Sequence, residues 1–393
     1  MLIGIDASVF INKRGYGRHA RALFSNLLKL DSNNRYIFFI DFNENLEVLP
    51  SNASWQYVPA NLPASEAARA NGSRSIKDLL KMSNALSRPG FDSLIFPTVY
   101  SYVPVRSRAR KILFIHDVIS ETYPGMTLPG FGSRWLWKTK TWMALRQADI
   151  LLTVSQYSRS GIAEHFRVDP RKIGVVGEAP DSVFRPIADI SISPELVRKG
   201  IDSDRRLILY VGGFGPHKNV STLLRALQEL AAQTGFEDIQ LVLVGENDSE
   251  TFYSEFQSLK EFVNEHLKGL AIFTGYLMDE QLVQLLNRAC VLVLPSWMEG
   301  YGLPAIEAAA CGCPVIATRC SPLPEILCDS ALFFNPGEVN ELTAHLKTVL
   351  RSEDTRQRMR QGGLQAVSKL NWEAAASQLL DVLQSQANIE TPA

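Results

Sequence analysis

The chain has 393 residues, more than one ordinary domain holds, because domains cluster around ~100–200 residues and larger cores split. Lys+Arg 40 nearly cancel Asp+Glu 41, and 46% hydrophobic with 21% charged residues is the balance of a globular protein, which excludes nucleic acid as an expected partner. No apolar run approaches the ~18 residues that a membrane span needs. The five cysteines, Cys290, Cys311, Cys313, Cys320 and Cys328, are odd in number, pointing to reduced thiols in a cytoplasmic protein. Cys311-Gly-Cys313 lacks metal-ligand spacing, and all five read as small core residues.

In chain order, Met1–Phe10 lacks a basic leader and carries Asp6, so it reads as a buried first strand at Leu2–Asp6 rather than a signal peptide. A helix is expected over His19–Leu30 with Leu23, Leu27 and Leu30 on one face, and another over Ser75–Leu86. Further strands are expected at Tyr36–Ile40, Trp55–Val58, Ser93–Pro97, Lys111–Ile115, Asp149–Val154 and Ile173–Val176. From Glu178 to about Arg205 the pattern loosens around Pro180, Pro186 and Pro194, as in an interdomain linker. Alternation then restarts with strands Leu207–Val211, Gln240–Val244, Ala271–Thr274, Cys290–Pro295, Pro314–Ala317 and Ala331–Phe334. Strands alternating with helices predict an α/β fold of two parallel-sheet domains, residues 1–184 and 185–371 with 185–205 as linker. A last amphipathic helix, Trp372–Ser385, puts Ala376, Leu379, Leu380 and Leu383 on one side, and Gln386–Ala393 reads as a polar tail.

The most informative segment is LVLPSWMEGYGLPAIEAA, Leu292–Ala309. A strand ends at Pro295, Gly300 and Gly302 let the backbone approach a ligand, and Pro304 suits the first turn of a helix. A helix starting near Leu303 aims free N–H groups and the positive end of its dipole at whatever lies above it, which suits a diphosphate. Glu299 and Glu307 frame the turn and can accept hydrogen bonds from sugar hydroxyls; as solvated surface charges they would do nothing. Leu207–Val220, LILYVGGFGPHKNV, is again a strand entering a glycine-rich turn, with Lys218 near a helix start, where a positive charge opposes the dipole unless it serves an anion. Gly15-Tyr16-Gly17-Arg18 is a weaker signal, since tight βα turns often contain glycine. His116-Asp117 stands at the end of a strand, where open α/β sheets bind ligands, although a histidine there also caps loops.

Asp202-Ser203-Asp204 has the form of a cation-binding motif, but it precedes a strand instead of following one and reads as a turn. No metal is expected. In Phe131–Arg146 the bases Arg134, Lys138, Lys140 and Arg146 interleave with Trp135, Trp137 and Trp142 without an acidic residue. The preferred reading packs these tryptophans on the sheet; the alternative lays residues 131–146 on an anionic membrane.

With Glu299-x7-Glu307, Gly-Gly-x-x-x-His-Lys-Asn, Thr274-Gly275-Tyr276, FIHDVI and TVSQYS together, the chain resembles the retaining glycosyltransferases of family 4, mannosyltransferase-like subset, which have the GT-B fold. That resemblance implies two Rossmann-like domains facing a cleft, the first binding acceptor, the second nucleotide sugar, with residues 372–389 crossing back to the first. It implies that Glu299 contacts the transferred sugar, Glu307 the ribose, Lys218 the diphosphate and His116 the sugar from across the cleft. Gly302 and Leu303, in the turn with Gly300 and Tyr301, would hold the distal phosphate, Gly275 and Tyr276 the base, and Gly17 would approach the diphosphate. Members usually carry an arginine where this chain has Gly213, after Gly212; Arg319 is a candidate compensating cation.

The implied activity is hexosyl transfer from a nucleotide diphosphate sugar, GDP-mannose or a UDP-sugar, to a glycan or lipid-linked acceptor, with no cofactor and no metal. The protein is expected in the cytoplasm, with peripheral contact at the inner membrane face through 131–146. Lys218, Glu299 and His116 are the expected catalytic groups. The rivals are a glycoside hydrolase using Glu299 and Glu307, a non-catalytic nucleotide-sugar-binding or scaffold protein, for which Gly213 is the best support, and a sugar epimerase. Acceptor specificity is expected in Asn61–Arg88 and Tyr123–Arg134, where no code is readable.

Overall fold

Every strand expected from the sequence is present, with ends moved by at most one residue. The computed structural model describes residues 1–12, 15–43, 53–62, 75–128, 130–246 and 254–385. The polar tail and residues 63–74 of the first acceptor segment lie outside them, as does Pro129 of the second. The chain divides into two units: residues 1–124, 128–178 and 371–393, and residues 125–127 with 179–370.

In the first unit, strands β1 (Leu2–Asp6), β2 (Arg35–Ile40), β3 (Ser54–Tyr57), β4 (Ser93–Phe96), β5 (Arg110–Phe114), β6 (Ile150–Thr153) and β7 (Ile173–Val175) form one sheet in the order β3-β2-β1-β4-β5-β6-β7. All its pairings are parallel, with Ile3 opposite Tyr36 on one side and Ser93 on the other. Strands covered on both faces need uninterrupted apolar runs, which Ile3, Ile5, Phe38, Ile95, Ile112 and Phe114 supply. Leu23 and Leu27 of the helix Gly15–Leu30 are fully buried against them, at about 1.5–3 kcal/mol for each leucine. Leu30 departs from expectation: it lies on the last turn and is exposed.

The helix Trp372–Gln384 belongs to this unit. Asn371 caps it by accepting the Ala374 N–H at 2.7 Å, and Ala375, Ala376, Leu379 and Leu383 join the core, with Leu380 partly buried beside them. At its other end the Arg110 guanidinium donates to the carbonyls of Leu383 (2.7 Å), Ser385 (3.1 Å) and Val382 (3.2 Å), collecting oxygens that a helix terminus leaves unpaired.

The second unit holds β8 (Arg206–Val211), β9 (Ile239–Val244), β10 (Ala271–Gly275), β11 (Val291–Leu294), β12 (Val315–Thr318) and β13 (Ala331–Phe334), all parallel, in the order β10-β9-β8-β11-β12-β13. Its core joins Ile208, Leu241, Leu243, Val291 and Ile316 to Leu223, Leu227, Leu342 and Leu346 from the covering helices. Residues 185–205, expected as linker, lie within this unit and are tied to its helix Asp279–Arg288. Asn287 donates to the Arg185 carbonyl (3.1 Å) and accepts from Ile187 N–H (2.8 Å), and Gln284 accepts from Ser193 N–H (3.0 Å). Cys311 and Cys313 are buried as expected, whereas Cys328, at the end of a short helix with φ 46°, is exposed and no core residue.

In each sheet the strand order turns back once, between β1 and β4 and between β8 and β11. Loops leaving the carboxyl ends on either side of such a reversal diverge and leave a crevice, the ordinary ligand site of an open α/β sheet.

Candidate active site

The second unit's reversal gathers the segments after β8 and β11. After β8, Gly212 and Gly213 lead to a short 3-10 turn, Pro216–Lys218, which ends at Asn219 with φ 54° before the helix Val220–Ala231. The left-handed Asn219 is held because its amide donates to the Pro295 carbonyl at 3.0 Å and accepts from the Thr222 hydroxyl at 2.8 Å. The two segments are also joined by backbone, Trp297 N–H donating to the His217 carbonyl at 2.9 Å. This bracing brings Lys218 Nζ to 2.7 Å from Glu299 Oε1, although 81 positions separate them in sequence. Ser296 donates its hydroxyl to the same carboxylate oxygen at 2.6 Å, and its own carbonyl accepts from Thr318 at 2.7 Å. Glu299 N–H donates to the Cys320 carbonyl at 3.1 Å, so the acid is fixed at backbone and side chain.

Three residues on, Gly302 adopts φ 90° and starts the helix Leu303–Ala310; a Cβ there would both strain the backbone and press on Leu323 at 3.0 Å. Gly300 and Tyr301 are buried in the turn, and Glu307, one turn into the helix, is 3% exposed. A carboxylate that deep has to be partnered. Gly275, the last residue of β10, has φ 74° and turns the chain at the strand end, and Tyr276 after it is exposed. Gly213 has open space where a side chain would begin, and its carbonyl accepts from the buried Tyr210 hydroxyl. Arg319 does not fill that space: its guanidinium pairs with Glu341 at 2.9 Å. His217, just before Lys218, has its pKa lowered to about 3 by burial and by the lysine's charge, so it is neutral.

In the first unit, His116 follows β5. Its Nε2 donates to the Pro97 carbonyl at 2.9 Å, while Nδ1 faces Glu178 Oε1 at 3.7 Å. Burial opposes a charged ring here, but the hydrogen bond and charge of Glu178, with the Pro97 carbonyl, outweigh it, and the pKa is raised. His19 packs edge-on against His116 with centroids 4.7 Å apart; it is fully buried, neither ring nitrogen has a hydrogen-bond partner among the described residues, and burial followed by the His116 charge lowers its pKa well below 6.5. Among the described residues His19, His116 and Glu178 are the one group of three whose donor atoms, all within 4.8 Å of one another, could converge on a metal ion. Asp202 instead accepts from Asp204 N–H at 3.0 Å and pairs with Arg205 at 3.2 Å, a turn before β8. Gly17 is required by packing: a Cβ would lie 1.8 Å from the Asn12 carbonyl oxygen.

The structure thus unites Lys218, Glu299 and the Gly302–Leu303 helix start in one constellation, with Glu307 behind it. It also reveals residues the sequence reading did not single out. Ser296 and Asn219 act through hydrogen bonds to a neighbour and Glu178 through its approach to His116 Nδ1 at 3.7 Å, and only the Lys218-Asn219 adjacency hinted at one of them.

Two all-parallel α/β units of seven and six strands have the form of the GT-B glycosyltransferase fold. Residues 193–366 match the model of the family "Glycosyl transferases group 1". The chain is 30% identical to the O-antigen chain mannosyltransferase B of Escherichia coli over 280 residues, 71% of either chain. It is 33% identical over 242 residues to an MMP alpha-(1->4)-mannosyltransferase of Mycolicibacterium hassiacum, covering 60% of this chain and about half, 54%, of that one. Its fold matches sucrose-phosphate synthase from Thermosynechococcus elongatus with a TM-score of 0.76 over 98% of both chains at 20% identity. The chain belongs to the glycosyl transferases group 1 family and is a glycosyltransferase.

Proposed function

We propose that the protein is a retaining family 4 hexosyltransferase that moves mannose from GDP-mannose, or a hexose from a UDP-sugar, to a glycan or lipid-linked acceptor in polysaccharide assembly. The observation that carries this reading is the Lys218–Glu299 pair at 2.7 Å beside the helix start at Gly302. It supplies, side by side, a cation for a leaving diphosphate and a carboxylate for sugar hydroxyls. The two mannosyltransferase relatives favour mannose.

In the transfer, the bond from the anomeric carbon to the diphosphate oxygen breaks and the acceptor oxygen bonds to that carbon on the same face. The acceptor's proton passes to the departing diphosphate, so no enzymic nucleophile is required. Lys218 and the Leu303 helix N-terminus balance the growing negative charge without a metal. Glu299 orients the sugar, Glu307 the ribose, Gly302 and Leu303 the distal phosphate, Gly275 and Tyr276 the base. The His116 Nε2–H is donated to the Pro97 carbonyl, and Glu178 raises the pKa of the ring.

The helix Phe131–Gln147 supports a peripheral contact with the inner membrane face. Trp135 and Trp142 do not pack on the sheet as preferred; they are exposed with Phe131 and Leu136, next to Arg134, Lys138 and Arg146. Among the described residues no helix is long and apolar enough to cross a membrane.

Calorimetric titration of GDP, UDP and ADP into wild type and Glu307→Ala, in EDTA, tests the donor site. Micromolar binding of one nucleotide, lost in the variant, is expected. No binding to wild type returns the protein to the scaffold reading; binding that EDTA abolishes and zinc restores transfers attention to His19, His116 and Glu178.

A further inference from the structure

The turn that carries Glu299 is strapped at both ends to the end of β12. The hydroxyl of Thr318, the last residue of that strand, donates to the Ser296 carbonyl at 2.7 Å, and the Glu299 N–H donates to the Cys320 carbonyl at 3.1 Å. The loop between them is closed in turn by the Ser321 hydroxyl, which donates to the Thr318 carbonyl at 3.0 Å. On its other flank the turn is tied to the segment after β8, through Asn219 on Pro295 and Trp297 on His217. Ser296 and Thr318 are 0% and 1% exposed, so this strapping is out of reach of water.

Within that frame one carboxylate oxygen is taken twice. Lys218 Nζ lies 2.7 Å from Glu299 Oε1, the Ser296 hydroxyl donates to the same atom at 2.6 Å, and no described residue donates to Oε2. A carboxylate oxygen accepts about two hydrogen bonds, so the protein fills Oε1 and leaves Oε2 to a ligand. Ser-x-x-Glu is also the spacing of a capping box, in which the serine would take the Glu299 N–H. Here that N–H goes to Cys320 and no helix starts before Leu303, so the Ser296 hydroxyl has no capping duty.

The two donors on Oε1 answer differently to the proposed transfer. As charge grows on a departing diphosphate, Coulomb attraction draws the lysine ammonium toward it and away from the carboxylate. A hydroxyl carries no net charge and does not follow that redistribution. We propose that Ser296 is a positioning residue: its hydroxyl holds the Glu299 carboxylate in the orientation that presents Oε2 to the hydroxyls of the transferred sugar, and Thr318 holds Ser296 in place. The proposal rests on the donor-site reading above and adds the group that keeps Glu299 aligned once Lys218 serves the diphosphate.

The test is calorimetric, on the full chain, with GDP-mannose and UDP-glucose compared with GDP and UDP. For the pair that binds, Ser296→Ala should weaken the nucleotide sugar about tenfold, as for one hydrogen bond to a charged group, and leave the nucleotide unchanged. Thr318→Val, which keeps the side-chain volume, should act in the same direction by about threefold. Added to Glu299→Ala, Ser296→Ala should cause no further loss, because the serine acts through the acid. A serine that only supports the fold would weaken nucleotide and nucleotide sugar alike, and that result overturns the proposal. So does an unchanged affinity of Ser296→Ala for the nucleotide sugar, or a loss that multiplies with that of Glu299→Ala. If Glu299→Ala binds the nucleotide sugar as well as wild type, or wild type binds no nucleotide, the donor-site reading falls and the proposal with it; that failure is read on proteins with Ser296 intact, so the two are distinguishable.

Discussion

The two sheets each reverse their strand order once and build the surroundings of that reversal by opposite means. The second unit uses contiguous peptide: Gly212–Asn219 after β8 and Pro295–Glu307 after β11 contain nearly every group proposed to hold the donor, the backbone at Gly302 and the helix start among them. The first unit uses side chains from four separated segments, Tyr16, Tyr100, Glu121 and Trp137 among them, on regular helices and loops. A phosphate-type site depends on backbone N–H groups, which only a particular turn can aim, so its sequence is constrained locally. A pocket of rings and carboxyls can be assembled from any positions that the fold brings together, so it leaves no local mark.

The largest expected effect tests the first half of that contrast. Lys218→Ala removes the cation proposed to face the leaving group, and turnover should fall about 10²–10³-fold, with the melting temperature shifted by only a few degrees. The Lys218–Glu299 pair is partly exposed, and Ser296 still holds the carboxylate at 2.6 Å. Single-turnover kinetics with saturating donor would read this directly. Unchanged turnover would remove Lys218 from the chemistry.

What was legible in the sequence follows the same line. Parallel strands buried on both faces declare themselves as apolar runs, so β1 to β13 were readable to within a residue of each end. Glu299, Lys218 and the Gly302 turn were readable because glycine, proline and charge stand together there. Trp137 was not: the absence of acids across Phe131–Arg146 made its helix look like either a core or a membrane element. Its indole is in fact bound by Glu121, 16 positions earlier, while its neighbours Trp135 and Trp142 face outward. Leu30 was misjudged because helical period fixes a face but not where the covered surface ends.

A smaller effect probes the first unit through pH. Glu121 is a carboxyl whose pKa is raised on folding, so the native state binds a proton that the unfolded chain has released. Stability is therefore lost as pH climbs from the ordinary value of 4.5 through about 7. The loss over that window is on the order of 2–3 kcal/mol for a largely buried group. His116 contributes in the same direction but later: its raised pKa stabilises the fold below the ordinary 6.5, and that contribution vanishes as pH passes above it. Urea unfolding of wild type and Glu121→Gln between pH 4.5 and 8 should show a flatter profile for the variant, most of all below pH 7. Parallel profiles would mean that Glu121 is solvated and that the pocket is open water.

The smallest change sharpens the donor site instead of breaking it. Gly213 stands where relatives of this type are expected to carry an arginine, and nothing lies within 4 Å of the Cβ it lacks. Its backbone shows no positive φ and its carbonyl is anchored by Tyr210, so a side chain can be added without strain. Arg319, tied to Glu341, does not take its place. Gly213→Arg should therefore tighten nucleotide diphosphate binding by about threefold to fivefold, the range of a partly exposed ion pair, with the gain fading as salt rises. The nucleoside itself, which lacks the diphosphate, should bind both proteins equally. If the variant binds the diphosphate no better, the turn after β8 faces away from it, and the charge balance of this site rests on Lys218 and the Leu303 helix alone.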